Sequence, residues 1–447
     1  MSNQSGQVSA HGPLVIQSAG QIANQRGSFV SDGTMQVRGG VIANSQGTMQ
    51  SAAALSVSGT SLDNTAGRIT SLNGDGLTIT TTGQLTNAAG TTATGAQGGV
   101  IGGNGAVTLR GGSIANHGTV NAQTDLQVTG ASLDNNGGTL HAANNVSVDA
   151  GAQLTNSGGT ISAGQRAKLN ARTLDNSGGT TQAAQLAITA TNLANRAGVI
   201  TQTGAGPMSV AVSGTLDNSN GGRLESNSTD LTLAPATLIN DGGTITHAGN
   251  GTLIVDAGNG AGTLSNAGGT IQSNGQVVAR AGTFDNASGK LIGQNGLAAT
   301  VVGALNNTNG KLLSNKDLSL ASGTLINNGG QIGAGANASV HTGSLTNNGG
   351  SIVAPNLTLT SDSTLDNNGG DIEANQLALT AADLLNRGGT ITQYGASPMD
   401  FNVNGTFDNS NGGTLQAVAG GHRAVVVDER VRRVGVDRSA GARRRAG

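Results

Sequence analysis

The chain predicts an all-β fold, a parallel β-helix (β-solenoid) of about 19 coils of ~20 residues each. Three observations carry that prediction. First, a phrase of an apolar residue, any residue and then Asn recurs along nearly the whole length, usually followed within three residues by Gly or Gly-Gly. Leu133-Asp-Asn-Asn-Gly-Gly, Leu174-Asp-Asn-Ser-Gly-Gly and Leu345-Thr-Asn-Asn-Gly-Gly are typical. Second, the text between phrases alternates apolar-x-apolar, the period of two that marks strands. Third, the composition is that of a thin core. Of 447 residues 75 are Gly, aromatics make up 1% and charged residues 10%. So few rings cannot fill a thick interior, because aromatic side chains bury the largest areas.

The phrase asparagines are Asn24, Asn44, Asn64, Asn87, Asn116, Asn135, Asn156, Asn176, Asn195, Asn218, Asn240, Asn266, Asn286, Asn307, Asn327, Asn347, Asn367, Asn386 and Asn409. These 19 copies leave 18 intervals, and sixteen of them span 19 to 23 residues. The longer two, 29 residues from Asn87 to Asn116 and 26 from Asn240 to Asn266, read as loops inserted on one face of the stack. After each phrase comes an apolar position such as Ile161, Ile200, Ile245 or Ile372. A pair such as Leu126-Gln-Val128, Leu186-Ala-Ile188 or Leu377-Ala-Leu379 follows. Each unit therefore reads as two or three short strands joined by turns. A unit this small cannot bury its own apolar side, but stacked units can. At ~4.8 Å per coil, 19 coils make a rod roughly 90 Å long.

Asparagine suits the corner because it tolerates left-handed backbone. In register, its side-chain amides can hydrogen-bond along a ladder. Glycine beside it supplies positive φ where the coil turns. Helical periodicity is absent, and glycine at this density opposes it. Disorder is disfavoured by few charges, five prolines and 35% hydrophobic residues placed in register.

A longer period lies over the first. Residues 174–222 align with 365–413 without gaps at an offset of 191, with 31 of 49 positions identical, including Pro207/Pro398 and Met208/Met399. The array grew by block duplication, which favours structural roles for the repeated residues. Register is lost near Gly421. The last 27 residues hold eight Arg and three acidic residues, net +5, against −7 for the preceding 420, which together give −2. Three parts are expected: an N-terminal stub over 1–13, repeats over 14–420, and a disordered, basic tail over 421–447 that reads as frameshift-derived. The other reading of that tail, a nucleic-acid arm, lacks aromatics and a binding motif.

Candidate chemistry is sparse. The six histidines lie 24 or more residues apart, without metal-ligand spacing, and read as solvated. Asp precedes the phrase Asn at Asp63, Asp134, Asp175, Asp217, Asp285, Asp366 and Asp408. A carboxylate column could bind calcium, but the period is not nine and the other coils lack the Asp. Asp371 and Glu373 are the nearest approach to a glycosidase-like carboxylate pair, with Tyr394 the sole Tyr and no Trp. The Gly-rich stretches 258–262 and 333–336 lack a following helix and the Lys-Ser/Thr of a phosphate loop, and read as turns. No catalytic residue, cofactor or metal is expected. With no cysteine, any stability outside the cell comes without disulfides.

The composite phrase, Leu-x-Asn-x-Gly-Gly-x-Ile followed by Leu-x-Leu every ~20 residues, resembles the filamentous haemagglutinin repeats of Gram-negative bacteria over about residues 14 to 420. That resemblance implies a right-handed β-helix filament, secreted or held on the outer-membrane surface. It also implies export through an outer-membrane two-partner-secretion transporter. Met1-Ser-Asn-Gln-Ser-Gly lacks the regions of a signal peptide, and neither Asn-Pro-Asn nor Arg-Gly-Asp occurs, so the chain reads as an interior length of shaft. The expected function is the structural shaft of an adhesin. The alternatives are the shaft of a contact-dependent growth-inhibition protein and a carbohydrate-active β-helix enzyme. Expected partners are the transporter, a host or neighbouring-cell receptor of unknown identity, and further copies joined end to end through open strand edges. Nucleic acid is not among them.

Overall fold

The computed structural model describes residues 1–93 and 95–418. Each coil turns through three short strands, and strands of successive coils pair in parallel, so three columns run the length of a β-solenoid. The first face takes the strand after the glycines, the second the Leu-x-Leu strand, and the third the strand that enters the phrase. One coil shows the order: Thr244–His247, Thr252–Asp256, then Thr263–Ser265. Registers put like beside like, with Ile245 on Ile271, Leu253 on Val277 and Leu264 on Phe284. The alternation of the strands sends these side chains inward, where they form one continuous apolar cluster from Ile16 to Ile391. In the strands Ser351–Asp366 and Asp371–Leu385 the chain passes all three faces without losing strand geometry.

Two expectations change. The N-terminal stub over 1–13 is coil: Gln7–Ala10 pairs with Ser28–Ser31, and Ser2 bridges Ala23. Met1-Ser-Asn3 is itself a copy of the phrase, with Gly6 behind it. The inserted loops do not share a face. Residues after Asn87 leave the coil as an antiparallel hairpin, Gly90–Thr92 with Gly95–Gln97, at the corner between third and first faces. The other insertion forms a tight turn, Ala257–Gly260, between second and third faces. The basic tail expected over 421–447 lies outside the described residues.

Candidate functional site

Asn347 shows how the corner is built. Its Nδ2 donates to Asn367 Oδ1 at 2.7 Å and to the Gly350 carbonyl at 3.2 Å. Its Oδ1 accepts from Asn327 Nδ2 at 2.7 Å. Its backbone N–H reaches the Asp366 carbonyl at 2.7 Å, and its own carbonyl accepts from Gly350 N–H at 3.1 Å. The residue is fully buried with every polar group paired.

The same amide-to-amide bond repeats without a gap from Asn3 to Asn409, always donating toward the C-terminal neighbour, at 2.6–2.8 Å. The structure thus places all nineteen phrase asparagines in one line and adds Asn3 as a twentieth.

The glycines divide into two roles. Gly349 sits at φ +62°, the left-handed corner, in open space. That position accepts other residues, and Arg26, Gln46, Ala66 and Ser288 hold it at φ of 53–56° in other coils. Gly350 has ordinary φ, but a Cβ there would lie 2.0 Å from the Asn327 carbonyl of the preceding coil. Close approach, not positive φ, therefore makes the second glycine indispensable, and every coil from Gly6 to Gly413 carries it.

The Asp column serves the same corner. In all seven coils the carboxylate accepts the backbone N–H two residues on, at 2.9–3.2 Å. This is the Asx turn that Asp forms readily. Burial pushes the Asp63 pKa up, but hydrogen bonds from Ser45 and Thr65 outweigh it and hold it below the ordinary carboxylate value. Asp134 is likewise lowered, by His117, Asn136 and Thr155 against burial. Asp408 falls to about 2 through bonds from Ser410 and Arg387. Among the described residues no group of three or more His, Cys, Asp or Glu is placed to hold a metal.

His247 departs from the solvated reading. It is fully buried at the corner between first and second faces, held by Ser273 Oγ at 2.8 Å and the Ser228 carbonyl at 3.0 Å. Burial keeps its pKa below the ordinary imidazole value. At the same corner Gln202 accepts the Leu186 N–H, and Gln393, 191 residues later, accepts that of Leu377. Both side chains stand in for backbone partners at places where Pro207 and Pro398 bulge the coil. Their identity at the duplication offset was the available signal. Asp371 and Glu373 share one strand, with the Tyr394 hydroxyl 3.5 Å from Glu373 Oε1. A groove of about 850 Å³ on the second face is lined by Arg172, Thr189, Met208, Ala211 and Asp230.

A hydrogen-bonded ladder inside a parallel β-solenoid defines a repeat protein whose residues serve the stack. The haemagglutinin repeat family matches residues 9–89, 80–158, 155–220, 209–259, 248–307, 293–369 and 372–397, and the chain belongs to that family. It is 50% identical over 228 residues to tRNA nuclease CdiA-2 of Burkholderia pseudomallei (strain 1026b), a stretch covering 51% of this chain and 7% of that protein. No solved structure matches.

Two predictions follow from this corner. Asn347→Ala strips a partner from Asn327 and Asn367 in the interior and lowers stability by about 1–3 kcal/mol in denaturant titration. Gly350→Ala costs more than Gly349→Ala, which is limited to about 1–2 kcal/mol of left-handed strain. An Asn347→Ala variant as stable as the parent, or a reversed glycine order, contradicts the assignment.

Acid melting proceeds in two stages. The folded pKa of His247 lies below its unfolded value, so the unfolded chain takes up the proton first and stability falls as pH drops below about 6.5. The lowered Asp63, Asp134 and Asp408 add stability present above about pH 4 that is lost as pH falls further. Melting temperature against pH should show both limbs, and His247→Ser should remove the upper one. A flat profile from pH 7 to 3 refutes this.

Proposed function

We propose that the chain is a length of structural shaft in a secreted or cell-surface filamentous haemagglutinin-like exoprotein, holding binding modules away from the cell. The carrying observation is the unbroken ladder: twenty coils use the same residue for the same bond. An interior so uniform makes a spacer. Family membership supports this, and so does the 50% identity to a stretch that is 7% of a far longer protein. In this reading the full-length protein leaves through a two-partner-secretion transporter, and open strand edges at the rod ends pair with further coils. A second reading has a specific warrant: the relative is named a tRNA nuclease, so the same shaft would serve toxin delivery between cells. The chemistry would then belong to a separate module.

In-register deletion tests the shaft. Removing residues 328–347 joins Asn327 to Asn348-Gly349-Gly350 and restores the phrase. The full-length exoprotein lacking that coil should still be exported and still adhere or inhibit, with a rod shorter by about 4.8 Å. Removing only residues 328–337 should abolish folding. If loss of one coil abolishes adhesion and inhibition while the rod still folds, that coil holds a binding site and the spacer reading fails.

A further inference from the structure

Asparagine followed by glycine is chemically fragile, yet fourteen such pairs occur among the described residues. The structure treats them very differently. None of the twenty ladder asparagines precedes a glycine. The Asn-Gly pairs beside the ladder, at Asn136, Asn328, Asn348 and Asn368, have the glycine N–H bound to the next coil. Gly137 donates to Ser157, Gly329 to Asn348, Gly349 to Asn368 and Gly369 to Arg387, at 3.0–3.2 Å. At Asn104-Gly105 the glycine is buried and its Cα faces the Gly74 carbonyl closely, while Asn104 Nδ2 is held by the Leu72 carbonyl.

At Asn73-Gly74 the glycine carries none of these restraints, while Asn73 Nδ2 donates to Asp75 Oδ2 at 2.7 Å. The pair lies in the turn between Arg68–Ser71 and Leu77–Thr81, and both residues are exposed. Among the described residues the Gly74 N–H has no hydrogen-bond partner, and a Cβ placed on Gly74 would meet nothing within 4 Å. The Asp75 N–H donates to Asn73 Oδ1 at 3.0 Å, which polarises the side-chain carbonyl toward attack.

We infer that Asn73 is a self-modifying site at which the folded filament deamidates. The Gly74 nitrogen, losing its proton to water, attacks Asn73 Cγ; the Cγ–Nδ2 bond breaks and ammonia departs. Water then opens the cyclic imide at either carbonyl, leaving aspartate or isoaspartate. Water is the sole co-reactant. The product places a new carboxylate beside Asp75. The isoaspartate form lengthens the turn against which Asn104 is bonded, through its N–H to the Ser71 carbonyl. The site thus ages the rod at the corner after Ser71 while the ladder stays intact.

Peptide mapping with isoaspartate detection, after incubating folded protein in mildly alkaline buffer, reads this directly. Asn73 should convert while Asn136, Asn328, Asn348 and Asn368 remain amides. In guanidinium all five should react at similar rates. The Gly74→Ala variant should slow conversion at Asn73 several-fold with unchanged melting. Equal rates at Asn73 and the four corner sites in folded protein, or an undiminished rate in the alanine variant, would overturn the inference.

Discussion

A primary amide taken out of water must have both donors and its acceptor met, or the burial costs more than the fold gains. In this molecule the partner is the identical residue one coil away, so every coil must present Asn at one height and one angle. That requirement sets the repeat. Coil length is free to vary, from 19 to 29 residues between ladder members, because the extra residues leave at corners and the ladder closes again behind them.

The second glycine follows from the same constraint. Stacking Asn on Asn brings a carbonyl of one coil against the Cα of the glycine behind the next Asn, usually three residues on, and only a missing side chain fits there. The first glycine answers to backbone conformation alone, which is why it drifts among Arg, Gln, Ala and Ser. With the corner fixed, aliphatic columns suffice for the interior. The coil is too narrow to need rings, and Phe29 and Phe284 simply take places in the Leu and Ile columns. Block duplication copies whole arrangements: the Arg196–Asp217 ion pair recurs as Arg387–Asp408 at the 191-residue offset, at 2.6 and 2.7 Å.

Much of this was legible because period and chemistry coincide. The strands, their parallel stacking and the asparagine line all announce themselves by recurrence. What recurrence hid was anything occurring once or shared unevenly. Asn3 escaped because its phrase opens the sequence, with no strand text before it to set the period. His247 looked like any surface histidine, since only its height in the coil, stacked on Ser226 and Ser273, shows that it points inward. The Asp column suggested a cation site when read as a list of carboxylates, whereas its spacing to the next backbone N–H is what explains it. Two glycines adjacent in sequence looked alike, and only the approach of the neighbouring coil separates them.

A fold whose recurring residues serve the stack leaves function to length and to whatever the rod carries, which is how the haemagglutinin repeat is used in the reading offered above. Everything rests on the asparagine amides being hydrogen-bonded inside the folded rod. Hydrogen exchange of side-chain amides, followed by nuclear magnetic resonance on segmentally labelled protein, observes that bond itself. The account predicts that the Nδ2 protons of Asn327, Asn347 and Asn367 exchange as slowly as the backbone amides of the strands they join. Those of Asn328 and Asn368 should exchange far faster. Fast exchange at the ladder positions, in protein that remains folded, would contradict it.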